Sequence, residues 1–283
     1  MTAHSSEISA FKAPPIEELV IGVQFPPITN FHDAYGGLYW QRVKEEFPKI
    51  SSQPRIEGPI ESLAPPQPLR IEFPITGQPQ SRTWLLGKND EYLIQIQNTR
   101  FIVNWRKRQE PYPKFARLRD MFLSHYESFL GLLGEVGLES PRVQQVEVSY
   151  INWITDLPAQ AFFGPAGATK VMIEGSEVSP EDQNWSARYL IGDDPSVVKR
   201  LYAQLQWAIR ITNHELSSLE QVNLSPENSQ QGYQLGLTFK AARSAGLDRP
   251  EIISLIDQAR SVSVPVFTDL TTPAAHTTWE RYK

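Results

Sequence analysis

The sequence predicts an α+β protein made of two antiparallel-sheet subdomains, each with helices packed on one face. Three observations carry this expectation. Strand-length runs alternate apolar and polar residues, as in VQQVEVSYIN at 143–152. Two long segments, near 112–133 and 249–270, repeat apolar residues at spacings of three and four. The first half reads strand, helix, strand, strand, helix, strand, an order that fits a ferredoxin-like, split β-α-β layer. The expected division is a loose N-terminal tail at 1–13, a first subdomain at 14–155 and a second at 156–283 that carries a C-terminal helix.

Each element follows from local pattern. Residues 1–13 are polar and unpatterned, hence expected to be loose. Pro14-Pro15 introduce a strand over 16–25, in which Leu19, Ile21, Val23 and Phe25 alternate with Val20, Gly22 and Gln24; Pro26-Pro27 stop it. A helical stripe through Ala34, Leu38, Val43 and Phe47 follows, with Asp33 placed to cap its start and Pro48 after its end. Residues 49–81 are rich in Pro, Ser and Gln and read as loop, with one strand at LRIEFPI (69–75). Strands at 82–86 and 91–97 flank the turn GKND, and a further strand at 100–106 follows a two-residue turn at Asn98-Thr99. Tyr112-Pro113 open a long helix with Phe115, Leu118, Phe122, His125, Phe129 and Leu133 on its stripe, ended by Gly134 or Gly137. A strand at 143–154 closes this half.

The second half gives strands at 168–174, 186–192, 201–212 and 232–243. A helix over about 249 to 270 follows, which Pro265 should kink or end. This helix and the closing WERY are expected to cover the join between the halves. The halves are similar in kind but show no sequence repeat.

Composition excludes several chemistries. With no cysteine, disulfides, thiolate metal sites and cysteine nucleophiles are absent. A net charge of -5 disfavours nucleic acid as a partner. No window approaches the roughly 18 apolar residues of a membrane helix, and the start lacks a secretory pattern; the cytoplasm is the expected compartment. The histidines His4, His32, His125, His214 and His276 form no HxH or HExxH motif. No GxSxG, GxGxxG or GxxxxGK[ST] is present, and GPAGATK (164–170) lacks the phosphate-loop spacing. The adjacent acids Glu17-Glu18, Glu45-Glu46 and Asp193-Asp194 point in different directions and share no site. No catalytic residue, cofactor site or metal site is therefore expected, and enzymatic activity is disfavoured. His125, on an apolar stripe, is expected at the core or its boundary.

What remains is a polar sheet face. In RFIVNWRKR (100–108), Phe101, Val103 and Trp105 share one side, and Ile102 and Asn104 the other. The cations after Trp105 read most simply as solvated residues leaving the sheet. Gln24, Gln95, Gln97 and Glu147 recur at alternate strand positions. If these strands pair, one face is apolar under helices and the other carries amides and a carboxylate, each needing a partner. The candidate surface is Gln24, Gln95, Gln97, Asn104, Arg106, Glu147, Asn152 and His276. Its partner is expected to be, in order, the other half of the chain, a second protein, or a small ligand.

The strings APPIEELVIGVQF, LIQIQNTRFIVNWRK, YPKF, VQQVEVSYIN and TTPAAHTTWERY together resemble a sporadically distributed family of uncharacterised bacterial proteins of similar length. The resemblance spans about 14 to 280. The positions that carry it are Pro15, Glu17, Gln24, Phe25, Gln95, Asn104, Trp105, Tyr112, Pro113, Glu147, Tyr150, Asn152, His276 and Trp279. It brings no catalytic residues. Its patchy distribution implies a mobile gene, as in toxin–antitoxin and anti-phage loci. The leading expectation is thus a non-catalytic interaction protein whose partner is a protein, such as a neighbouring gene product or a second copy. The alternative is a small-molecule or nucleotide-binding protein, or an enzyme, with a polar pocket between the halves.

Overall fold

A computed structural model describes residues 9–63, 81–155, 157–165, 171–173, 176–178, 183–211 and 229–283. The strands are β1 (Ile16–Gln24), β2 (Lys49–Gln53), β3 (Arg82–Leu86), β4 (Tyr92–Gln97), β5 (Arg100–Arg106), β6 (Gln145–Ile154), β7 (Val171–Ile173), β8 (Ser176–Val178), β9 (Trp185–Leu190), β10 (Val198–Ile211) and β11 (Ser229–Ala242). The helices are α1 (Ala34–Val43), α2 (Phe115–Glu135), α3 (Ala159–Phe162), α4 (Arg249–Leu270) and α5 (Pro273–Thr278).

The protein is α+β, and its strands form one large antiparallel sheet of nine, in the order β2-β3-β4-β5-β1-β6-β11-β10-β9. This corrects the expectation of two separate sheets. β6 bonds β1 on one side and β11 on the other, so the ladder does not break between the halves. The ferredoxin-like arrangement does not appear in its simple form. A split β-α-β unit sets one strand between the two parallel strands that its helix joins, whereas β1 and β2, joined through α1, run parallel with β5, β4 and β3 between them. β2, unmarked in the sequence reading, extends the first meander to four strands before it returns to β1.

The topology repeats. β1, α1, the meander β2–β5 and α2 form one unit; β6, α3, the meander β9–β11 and α4 form another, so by topology the two halves of the sheet meet between β1 and β6, and β6 opens the second. In each, the last meander strand returns to the first strand of the unit. The two first strands, β1 and β6, pair at the centre of the sheet.

Local chemistry explains the elements. β4 and β5 pair Gln97 with Arg100 across Asn98-Thr99, as expected of a two-residue hairpin. α2 ends in a Schellman motif: Leu138 N–H donates to the Leu133 carbonyl at 2.8 Å and Gly137 N–H to that of Gly134 at 3.1 Å. Gly137, at φ 76°, supplies the left-handed residue this needs. α4 opens with a reciprocal capping box between Asp248 and Glu251. It runs through Pro265 rather than ending there, packed along β6 and β11. Asp33 is the N-cap of α1 but makes no side-chain cap; its carboxylate instead accepts from Ser81 N–H and Oγ. Gly36 lets α1 lie on β3, since a Cβ there would meet Thr83 Oγ1 at 2.2 Å.

α1, α2 and α4 cover one face of the sheet. Beneath them Ile50, Leu85, Ile94, Val103, Ile21, Val148, Phe239, Leu201 and Tyr189 form one row in register across all nine strands. Only its two ends are exposed, Ile50 by 42 % and Tyr189 by 38 %. His125 lies at the edge of this core, between Tyr39 and Glu46.

Residues 10–13 are not loose. They bond the backbone of 279–283, and Phe11 packs on Phe267, His276 and Trp279, which anchors the segment. The expected strand at 69–75 lies outside the described residues, as do His4, His214 and most of GPAGATK. No described helix is long and apolar enough to cross a membrane.

Candidate functional site

The face opposite the helices carries the amides, as the alternation predicts. Each strand contributes every second residue, and antiparallel registry sets them in rows. One row reads Gln95, Ile102, Gly22, Glu147, Lys240 and Arg200. The next reads Asn104, Val20, Ser149, Thr238 and Tyr202. A third reads Arg106, Glu18, Ile151, Gly236 and Gln204. A cavity of about 310 Å³ sits over the middle of these rows and draws residues from both halves of the chain. Val20, Ile102 and Ile151 give it an apolar floor, and Gly236 leaves room there: a Cβ at that position would meet nothing within 4 Å.

One hydrogen-bond chain organises the first-half side of the cavity. Arg82 and Trp84 donate to Gln95 Oε1 at 2.7 and 3.1 Å. Gln95 Nε2 donates to Asn104 Oδ1 at 2.7 Å, and Asn104 Nδ2 donates to Glu18 Oε1 at 2.6 Å. Each amide is oriented by the previous donor, so the direction of the chain is fixed. Burial pushes the Glu18 carboxyl above its ordinary value of 4.5, against the opposing pull of the Asn104 bond and the Arg106 and Arg108 charges. On the second-half side, Ser149 and Thr238 hydroxyls bond at 2.9 Å. Glu147 lies between Arg100 at 3.8 Å and Lys240 at 3.7 Å. Burial lowers the Arg100 pKa, the Glu147 charge opposing it.

Residues 54–63 lie across the same face as a strap, held mostly by side-chain amides. Gln97 holds the backbone of one residue at both ends, accepting from Ile56 N–H at 3.0 Å and donating to the Ile56 carbonyl at 3.1 Å. Gln24 and Arg100 both donate to the Gly58 carbonyl, at 3.0 and 3.1 Å. Gln145 accepts from Glu61 N–H at 2.8 Å, while the Glu61 carboxylate takes Arg200 and the Tyr202 hydroxyl.

The sequence-predicted residues thus separate into groups. Gln95, Asn104 and Glu147 line the cavity together. Gln24 and Gln97 hold the strap. Arg106 stands at the rim, over the Trp84 ring at 5.7 Å and donating to the Asp90 carbonyl. Lys107 pairs with Glu17 at 3.6 Å, and Arg108 is half-buried. Two residues do not belong to this face. Asn152 is five positions from Glu147, so strand alternation puts it beside Tyr150 on the helix side, where it donates to the Leu235 carbonyl. His276 is buried in α5, bonded to the Thr271 hydroxyl at 2.8 Å and packed on Phe11.

The sequence reading missed Glu18, Tyr202, Gln204, Gln234 and Thr238. For the last four a signal exists, because Gln204 and Gln234 sit at alternating polar positions of β10 and β11. Glu17 and Glu18 do diverge as expected: Glu18 turns to Asn104, and Glu17 to Lys107 and Arg210.

No protein-family model matches the chain, and no curated protein matches it.

Proposed function

We propose that this protein binds a small, uncharged, hydrogen-bonding ligand in the polar cavity between its two halves. The observation that carries this reading is convergence. Glu18, Gln95 and Asn104 from one half meet Glu147, Ser149, Thr238, Gln204 and Gln234 from the other around one concave space. A small-molecule site is expected to combine a concavity, a few convergent polar groups and a perturbed titratable residue, here Glu18. The volume, about 310 Å³, is at the low end of the roughly 300–1,000 Å³ typical of ligand pockets and calls for a small occupant. Amides and hydroxyls both donate and accept, and the apolar floor suits the flat face of a ring.

The experiment is native mass spectrometry of protein purified from its own host, beside a Gly236→Val variant. Valine suits a strand and meets nothing at Cβ, so the variant should melt at or above the parent temperature while filling the cavity floor. A small bound mass that is lost in Gly236→Val is the expected result. A parent protein with no bound mass, or one whose bound mass survives the substitution, would count against this site.

A second reading is favoured by one observation. Where the pairing of β9 stops at Trp185 with Leu205, Trp207 and Ile209 stand two apart on one side of β10, exposed by 38 % and 47 %. Apolar residues exposed at a sheet edge suit a protein partner. Membership of a toxin–antitoxin or defence locus rests on the family resemblance alone, and a stoichiometric co-purifying protein in the same spectra would support it.

A further inference from the structure

On the helix side of the sheet lies a second cavity, of about 1070 Å³, between the start of α2, the middle of α4, the inner strands and the paired segments at 9–16 and 282–283. Its size reaches the upper end of the range for small-molecule pockets, roughly 300–1,000 Å³. Its walls are mainly apolar and aromatic, with Phe11, Pro14, Tyr112, Val264 and Phe267 around it and the buried Trp105 and Phe115 behind them.

The polar groups around it are one-sided. Every charged side chain in the lining is a cation: Lys12, Lys107, Lys114, Arg260 and Lys283. No carboxylate side chain lines it, in a chain whose net charge is -5. Lys12 and Lys107 have carboxylates nearby, Glu280 at 4.0 Å and Glu17 at 3.6 Å. Arg260 has none among the described residues; its guanidinium lies over the Phe115 ring at 5.9 Å, and its charge opposes the upward push of burial on the Tyr112 and Tyr150 hydroxyls.

Two buried lining groups have no hydrogen-bond partner, Tyr150 Oη and Ser263 Oγ. Their residues are only 9 % and 1 % exposed. An unpartnered buried hydroxyl is a standing cost that a bound polar group would remove. The rim is strained as well: Lys114 holds φ 72° and ψ 148°, a region nearly reserved for glycine, at the start of α2. That helix start has no side-chain cap, so its first-turn amides add positive field at the same place.

We propose that this cavity binds a hydrophobic carboxylate, its head against Arg260 at the mouth with the Tyr112 and Tyr150 hydroxyls behind, and its apolar body along Phe11, Val264 and Phe267. One guanidinium and two phenol hydroxyls fit a single planar anion. The aromatic walls bury the rest. Since the sheet separates this cavity from the polar one, the proposal stands independently of the function proposed above.

The test is isothermal titration of the full chain with sodium dodecanoate, beside dodecan-1-ol and dodecyltrimethylammonium, which share the tail and change only the head. Dodecanoate should bind saturably at one per chain and more tightly than either control. Arg260→Met keeps an unbranched stem over Phe115 and should weaken dodecanoate by roughly tenfold or more, the scale of one lost charged hydrogen bond. Tyr150→Phe removes an unpartnered hydroxyl, so it should weaken binding while leaving the melting temperature unchanged or higher. Absence of saturable binding would overturn the proposal. So would equal affinity for the acid and the alcohol, or an Arg260→Met variant that binds as the parent does.

Discussion

Glu18 is pulled in two directions. Its carboxylate accepts from Asn104 and feels Arg106 and Arg108, which favour the charged form, yet burial outweighs them and raises its pKa above 4.5. A carboxyl whose folded pKa is raised binds its proton more tightly in the folded state. Its contribution to stability is therefore fully present below about pH 4.5 and is lost as pH climbs through the raised value. Glu18→Gln keeps an acceptor for Asn104 and cannot ionise. It should raise the melting temperature at pH 7 to 8, and the gain should vanish near pH 4.5. Melting curves across that range check this, and a gain that does not depend on pH would contradict it. The cost retained at neutral pH is of the kind kept where a site needs the group. Glu18 is hard to read from sequence because its partner lies 86 residues away. Asn104 and Gln95 are legible because their neighbours on one strand show which face they take.

The strap is an element without secondary structure of its own. Proline- and serine-rich composition marks 49–81 as loop, and over 54–63 no helix or strand forms. Composition cannot show where its backbone groups go, because they go to side chains of distant strands. Gln97 reaches 41 residues to satisfy both sides of Ile56. A side-chain amide fits a peptide unit as another peptide would, so the strap is recognised through its backbone at Ile56, Gly58 and Glu61. This predicts a local effect. Gln97→Leu removes two bonds to the strap, each worth about 1 kcal/mol, and should speed hydrogen exchange at the Ile56 amide by roughly thirtyfold. Amides in α2 should keep their protection. Exchange at Ile56 that stays as slow as in the parent would mean the strap is held by its other contacts. β2 escapes the same composition reading for a different reason: KISSQ is short, polar and at an edge, where little burial imposes a pattern.

At the scale of the molecule, alternation and helical periodicity make nearly every central strand and both long helices legible, but not their assembly. A period of two says which residues share a face and nothing about which strand lies beside which. The pairing of β1 with β6 joins the halves, and it appears only where Ile21 meets Val148. One consequence distinguishes a continuous sheet from two sheets side by side. The row from Ile50 to Tyr189 is a single hydrophobic layer under α1, α2 and α4, so neither half can lose its packing without exposing the inner edge of the other. Trp105 tests this. It is fully buried on β5, bonded to Glu91 at 3.2 Å and packed against Tyr112. Trp105→Ala should cost about 3–5 kcal/mol, a drop on the order of 10 °C for a chain of this size. In calorimetry both halves should melt together, so the whole endotherm should move down as one peak. Two resolved peaks, with only the lower one displaced by the substitution, would show that the halves unfold separately. The β1–β6 seam would then be a contact between domains, and the polar cavity above it a cleft that can open.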